Sequence, residues 1–207
     1  MENFNRKLHW ENIYQTKQLN EVSWYQPTPQ TSLDFIEELQ LPAAAHIIDV
    51  GGGDSFLVDN LLRLGFQNIS VLDISEAAIE RAKMRLGAQA EKITWIAADV
   101  AAFKPQQQYH LWHDRAAFHF LTQPHEIAAY KATACQHILP GGFLVIGTFS
   151  EQGPQKCSGI PIQQYSEEQM EQLWHPYFRK LQSVTTNHPT PFNTMQSFTF
   201  CSFKKVE

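Results

Sequence analysis

Apolar residues along this chain fall into short runs separated by longer amphipathic stretches. Short apolar stretches between turn signals predict buried strands at 46–50, 69–73, 92–96, 109–113 and 142–149. Between them, apolar positions at helical spacing predict helices over 55–64, 75–86 and 124–138. An earlier helix over 31–39 turns Leu33, Phe35 or Ile36, and Leu39 inward, and Leu57, Leu61, Leu62 and Leu64 supply the buried side of the next. Ser75, ahead of Glu76 and Ala77, is a natural N-cap. Gly65 stops one helix, and Pro140-Gly141-Gly142 separates another from the fifth strand. Strands alternating with helices imply an α/β fold with a parallel sheet and right-handed crossovers. The C-terminal part breaks the pattern. Segments 178–186 and 196–204 both read as strands, joined by a turn containing Asn187, Pro189, Pro191 and Asn193. With no helix between them, they must pair antiparallel.

The run His-Ile-Ile-Asp-Val-Gly-Gly-Gly-Asp-Ser at 46–55 carries the most chemical information. A strand enters a glycine turn and leaves as a helix starting near Ser55. Gly51 and Gly53 permit close approach of a ligand to the backbone. Asp49 ends the strand where a dinucleotide fold would seat a pyrophosphate; a carboxylate there repels phosphate and suits a cation. Asp73 ends the second strand, where an acid accepts from ribose hydroxyls. Asp99 ends the third, where a carboxylate accepts from the exocyclic amine of an adenine.

Asp49-Val-Gly-Gly-Gly53, Asp73 and Asp99 resemble motifs I, II and III of the class I S-adenosylmethionine-dependent methyltransferases, and the resemblance runs roughly over 9–203. It implies a mostly parallel seven-stranded sheet flanked by helices, a Rossmann-like fold with a C-terminal antiparallel hairpin. It also implies S-adenosylmethionine as cofactor over the C-terminal ends of strands one to four. Trp24, Asp49, Gly51, Gly53, Asp73, Ile74, Asp99, Val100 and Asp114 are then the expected cofactor residues. Ser55 departs from the family, which often has a third glycine there, but serine can cap the following helix. The rival reading, an NAD(P)-dependent oxidoreductase, is disfavoured by Asp49 and by bulky Phe56, where the G-x-G-x-x-G pattern needs glycine or alanine.

Methyl transfer from a sulfonium requires alignment, exclusion of water and an unprotonated nucleophile. Asp114, Arg115 and His119, just after the fourth strand, are the expected catalytic residues. Asp114 is read as a site residue, at the mouth of the crevice, in preference to a helix cap. His119 has two readings, a base or a packed side chain, and His113 is read as packing. Trp24 or Tyr25 can cover the sulfonium from an N-terminal lid. Cys157 is read as a loop residue without chemistry. No metal is expected, because His110 and His113, three apart on a strand, point to opposite faces.

Composition narrows the remaining choices. The chain has 207 residues, a net charge of −5 and no basic run, which argues against a nucleic-acid partner. Nothing approaches a membrane span or a signal peptide, and three cysteines without metal-like spacing fit a reduced, cytoplasmic protein. The length fits a single methyltransferase domain over 1–207, with 1–30 as an N-terminal lid and 31–207 as core. Two flanking resemblances bear on the acceptor. His9-Trp10 followed by Tyr14, Glu21-Val-Ser-Trp24-Tyr-Gln, Asp114-Arg-Ala-Ala117 and Gly159-Ile-Pro-Ile162 look like the thiopurine S-methyltransferase group. The opening Trp-Glu-x-x-Tyr and Glu-x-x-Trp-Tyr patterns are also similar to elongation-factor lysine methyltransferases. The expected acceptor is a small molecule with a soft nucleophile; the alternatives are a protein lysine or a non-catalytic binding module.

Overall fold

A computed structural model describes residues 4–206, so Met1 to Asn3 of the expected N-terminal segment and Glu207 lie outside the described residues. Helix α1 (Arg6–Thr16) and helix α2 (Gln30–Glu38) precede the sheet. Then β1 (His46–Val50), α3 (Leu57–Arg63), β2 (Asn68–Asp73), α4 (Glu76–Leu86), β3 (Ile93–Ala97) and β4 (Tyr109–Arg115) alternate. α5 (Pro124–His137) runs straight into β5 (Ile138–Phe149). The short pair β6 (Lys156–Cys157) and β7 (Ile160–Pro161), helix α6 (Glu167–Trp174) and the hairpin β8 (Phe178–Pro189) and β9 (Met195–Lys205) complete the chain.

Seven strands form one sheet in the order β3-β2-β1-β4-β5-β9-β8. The first five are parallel, whereas β9 runs antiparallel to both β5 and β8. The expected α/β fold with a terminal hairpin is therefore present. Its order reverses between β1 and β4, the position where open parallel sheets leave a crevice beyond their strand ends.

Three local expectations need correction. Pro140-Gly141-Gly142 does not precede the fifth strand but lies within it: Tyr109 pairs with Ile138 and Leu111 with Phe143, so the intervening residues bulge. Gly141, at φ 72°, supplies the left-handed step. Leu64 is exposed, and Val58 takes the buried place on α3. Cys157, expected in a loop, lies in the short strand β6; two-residue strands leave no periodicity to detect. Other expectations hold: the Ser75 side chain accepts from Ala78 N at the start of α4, and Gly65 follows α3 at φ 87°.

The sheet separates two cores. One face, with Ile48, Trp112, Leu144 and Phe203, packs on α5 and α6. The other, with Ile47, Leu111, Val145 and Phe200, packs on α2 and α3. Burying a large apolar side chain is worth about 1.5–3 kcal/mol, so the face a residue occupies on each strand is strongly specified.

Candidate active site

A pocket of about 1170 Å³ of empty space, its open mouth included, lies beyond the C-terminal ends of β1 to β4. Asp49 ends β1 here, Asp73 and Ile74 end β2, Asp99 and Val100 follow β3, and His113 and Arg115 end β4. Sequence reasoning had named most of these; the fold brings them to one rim.

The acids differ in what they have left to offer. Asp73 is buried; its Oδ1 accepts from Ser75 N at 2.8 Å, leaving Oδ2 for a ligand. Burial raises its pKa to about 7, with nearby Asp54 and Asp49 adding to the rise. Asp49 Oδ1 lies 2.7 Å from His113 Nδ1, and His113 Nε2 lies 2.9 Å from Ser32 Oγ. A carboxylate only accepts, so Nδ1 carries the proton and the imidazole is held rigidly. Asp99 Oδ1 accepts from Ala101 N, and both its oxygens accept from Arg6 Nη1 at 3.2–3.3 Å. Arg6 also donates to Glu126 at 2.6 Å, which pins the start of α1 over this end of the pocket.

Residues of the glycine turn divide by role. Gly51, at φ 69°, lines the pocket, and a Cβ on it would clash with Ala117 Cβ. Gly53, at φ 43°, does not line the pocket. A Cβ there would stand 2.7 Å from Asp73 Oδ2 and 3.1 Å from the Tyr14 hydroxyl. Its glycine protects the position of an acid rather than the approach of a ligand.

The N-terminal segment roofs the pocket with aromatics. Trp10, Tyr14 and Trp24 pack against one another, and Trp10 meets Phe120 edge-on at 4.9 Å between centroids. Trp24 and Tyr25 both line the pocket. Polar contacts anchor the roof to α4: Glu11 accepts from Ser75 Oγ and Ala77 N, and Arg81 donates to the Tyr14 and Lys17 carbonyls. Glu11 thereby caps α4 from outside it.

Two expected catalytic residues are elsewhere. Asp114 is fully buried and does not line the pocket. Its Oδ1 accepts from Ala117 N and Phe118 N, both at 3.0 Å, and its Oδ2 from the Tyr130 hydroxyl at 2.7 Å. It is the cap of the turn after β4, the reading set second above. The cause is strand alternation: His113 and Arg115 share one face, and Asp114 points to the other, toward α5. Burial raises its pKa to about 6. Asp114→Ala is expected to cost about 2–4 kcal/mol in denaturant unfolding, for a buried charged acceptor with three donors. Binding of S-adenosylmethionine should change less than threefold; the opposite pattern would return Asp114 to the site.

His119 is also fully buried, with Nδ1 accepting from Phe149 N at 3.3 Å and its ring against Phe120 and Phe149. Burial, aided by Arg115, pushes its pKa down to about 3, so it is neutral throughout the working range. It packs and does not reach the pocket. Arg115 does reach it, donating from Nη1 to the Trp24 carbonyl and lying 5.1 Å from the Phe198 ring centre.

Sequence reasoning missed Arg6, Ser32 and the pocket positions of His113 and Cys157. Period-two alternation through β4 would have paired His113 with Arg115. Arg6, Ser32 and Cys157 reach the rim only through tertiary packing, and no local signal marks them.

Residues 47–142 match the family profile described as a methyltransferase domain. The chain carries a methyltransferase domain. This methyltransferase matches no curated protein sequence. Among solved structures it resembles one described by the conversion of a disulfide bond into a thioacetal group during echinomycin biosynthesis. That match has 15% identity and a TM-score of 0.78, and covers 97% of this chain and 93% of the other. It also resembles the N-methyltransferase NodS of Bradyrhizobium japonicum in complex with S-adenosylhomocysteine, with 14% identity, a TM-score of 0.74 and coverage of 98% and 100%. A third is the 1,6-didemethyltoxoflavin N1-methyltransferase of Burkholderia thailandensis, with 16% identity, a TM-score of 0.69 and coverage of 97% and 84%. These likenesses establish a shared Rossmann-like fold.

The pocket's own chemistry fits S-adenosylmethionine. Asp49, Asp54 and Asp73 are buried near one another, and Arg81, 3.1 Å from Asp54, neutralises only one of them. Burial raises the pKa of Asp54 and Asp73. A ligand bearing a sulfonium and an ammonium relieves that repulsion; a pyrophosphate would add to it. No helix in the described residues is long and apolar enough to cross a membrane.

Proposed function

We propose that this methyltransferase moves the methyl group of S-adenosylmethionine to a small molecule with a soft nucleophile. The observation that carries the reading is the set of strand-end acids, Asp49, Asp73 and Asp99, around the glycine turn of a methyltransferase domain. Asp73 Oδ2 accepts from the ribose hydroxyls, and Ile74 and Val100 sandwich the adenine. Asp99 exchanges its Arg6 contacts for the adenine amine or shares them with it. Asp49, fixed by His113 and Ser32, faces the cationic end, and Gly51 keeps the backbone out of the cofactor's path. The whole of 1–207 acts as one domain, with 1–30 as the lid and Trp24 over the sulfonium. Three free cysteines support a reducing, cytoplasmic setting.

When bound, the cofactor supplies an activated methyl group and an excellent leaving group. The chain excludes water with its aromatic roof and orients the acceptor with Arg115. A neutral, pocket-remote His119 leaves no general base after β4, which favours an acceptor that ionises by itself. A free thiol, with a pKa of about 8.5, meets that condition far better than a lysine amine at about 10.4. The flanking likeness to the thiopurine S-methyltransferase group points the same way.

Calorimetric titration with S-adenosylmethionine, S-adenosylhomocysteine and NAD is the first test: the first two are expected to bind and NAD is not. Methyl transfer should then be assayed on thiols, amines, carboxylates and proteins, with wild type and His119→Ala. The variant is expected to lower turnover by less than about tenfold and leave the pH profile set by the thiol. Loss of an acidic limb near pH 6.5 with a fall of several orders of magnitude would make His119 the base and defeat this mechanism.

A further inference from the structure

Among the arginines of the pocket, Arg115 differs in charge balance. Arg6 is paired with Asp99 and Glu126, and at the turn Arg81 is paired with Asp54 and Arg85 with Asp59. Arg115 lines the pocket with no carboxylate in salt-bridge range among the described residues, and its buried Nη2 has no hydrogen-bond partner. The nearest carboxylate, Asp49, acts on it only through space, and no group around it closes an ion pair. Nη1 meets the Trp24 carbonyl, the guanidinium lies over the Phe198 ring, and the neighbouring Cys157 thiol is kept neutral by burial. His188 donates from Nε2 to the Ser23 carbonyl and accepts at Nδ1 from Gln26, so it too is neutral. A shielded, unpaired guanidinium is costly unless an anion completes it.

We propose that Arg115 is the docking point for an anionic group of the methyl acceptor, which is therefore a small organic carboxylate bearing its nucleophile. This rests on the methyl-transfer reading. The planar fork of an arginine matches a carboxylate with two parallel hydrogen bonds and fixes its orientation. The carboxylate of the cofactor's own methionine portion has the same chemistry. Position favours the acceptor: Arg115 pairs with Gly147 of β5 and lies over Phe198 of β9. That is the side of β4 away from β2 and β3, which supply Asp73 and Asp99. Arg115 thus stands at the end of the pocket away from Asp73 and Asp99.

The test uses the full chain and a matched pair of probes, 4-mercaptobenzoate and 4-mercaptobenzamide, titrated calorimetrically with and without saturating S-adenosylhomocysteine. Wild type is expected to bind the carboxylate at least tenfold more tightly than the amide. Arg115→Gln should erase that preference and Arg115→Lys should keep part of it, both leaving S-adenosylhomocysteine affinity within twofold. Melting curves check folding, and if Arg115→Gln does not fold, a reduced preference in Arg115→Lys decides the matter. Equal binding of the two probes by wild type, binding of neither, or a preference that survives Arg115→Gln overturns the proposal. A tenfold loss of S-adenosylhomocysteine affinity in the Arg115 variants also overturns it, assigning the guanidinium to the cofactor. Failure of S-adenosylhomocysteine to bind wild type would sink the methyl-transfer reading separately, and the cofactor-free titrations would still judge Arg115.

Discussion

Gly53→Ala is expected to abolish measurable S-adenosylmethionine binding, a loss of more than a hundredfold, while the protein still folds. The new methyl group would stand 2.7 Å from Asp73 Oδ2 and 3.1 Å from the Tyr14 hydroxyl, at a residue with φ 43°. The ribose-binding oxygen must then turn away or the N-terminal roof must lift. Strain at a positive φ together with crowding costs about 1–3 kcal/mol of stability. Calorimetry of binding, beside a denaturant curve, separates the two effects. A variant that binds the cofactor within threefold of wild type would show that neither Asp73 nor the roof needs its present position.

Asp73→Asn is expected to stabilise the free protein at pH 8 while weakening S-adenosylmethionine ten- to a hundredfold. Burial raises the folded-state pKa of Asp73 from 3.8 to about 7, so the folded chain holds this proton more tightly than the unfolded one. Its favourable contribution is complete below about pH 3.8 and is lost as pH rises through about 7. Above that, an ionised carboxylate beside Asp54 and Asp49 opposes folding by about 2–4 kcal/mol, which a neutral amide removes. Melting temperature should rise by roughly 5 °C at pH 8, with no gain at pH 4. Function pulls the other way: a charged acceptor bonded to hydroxyls is worth roughly 1.5–3 kcal/mol, hence the loss in affinity. A cation binding nearby also lowers the Asp73 pKa, so wild type should release protons on binding near pH 6.5, seen as heats that vary with buffer ionisation enthalpy. A melting temperature that falls at pH 8, or binding heats independent of buffer, would remove Asp73 from this role.

The sheet was legible because each βα unit writes its signal locally: an apolar run, a turn residue, then a helical repeat. The acids Asp49, Asp73 and Asp99 were legible for the same reason, as each closes its own run. The bulge at Gly141 was not, because its neighbours on both sides pair with β4 and only that pairing makes 138–149 one strand. Helix α1 was not resolved into its contacts either, since its anchors, Glu11 and Arg6, act on α4 and on Asp99 and Glu126.

By itself, then, the sequence determined an α/β sheet with a terminal hairpin and a strand-end crevice whose acids select a cation. Those features depend on periodicity and on residues near one another in the chain. Only the tertiary structure decided which groups beyond β4 face that crevice. The one-residue step from Asp114 to Arg115 crosses the sheet from one core to the other. Asp114 is occupied by the turn after β4 and by Tyr130 of α5, and the missing partner of Arg115 is visible only once Trp24, Cys157 and Phe198 have closed around it. Which face of a strand meets the crevice, and whether a buried charge is satisfied, are properties of the assembled packing, which no local stretch of sequence contains.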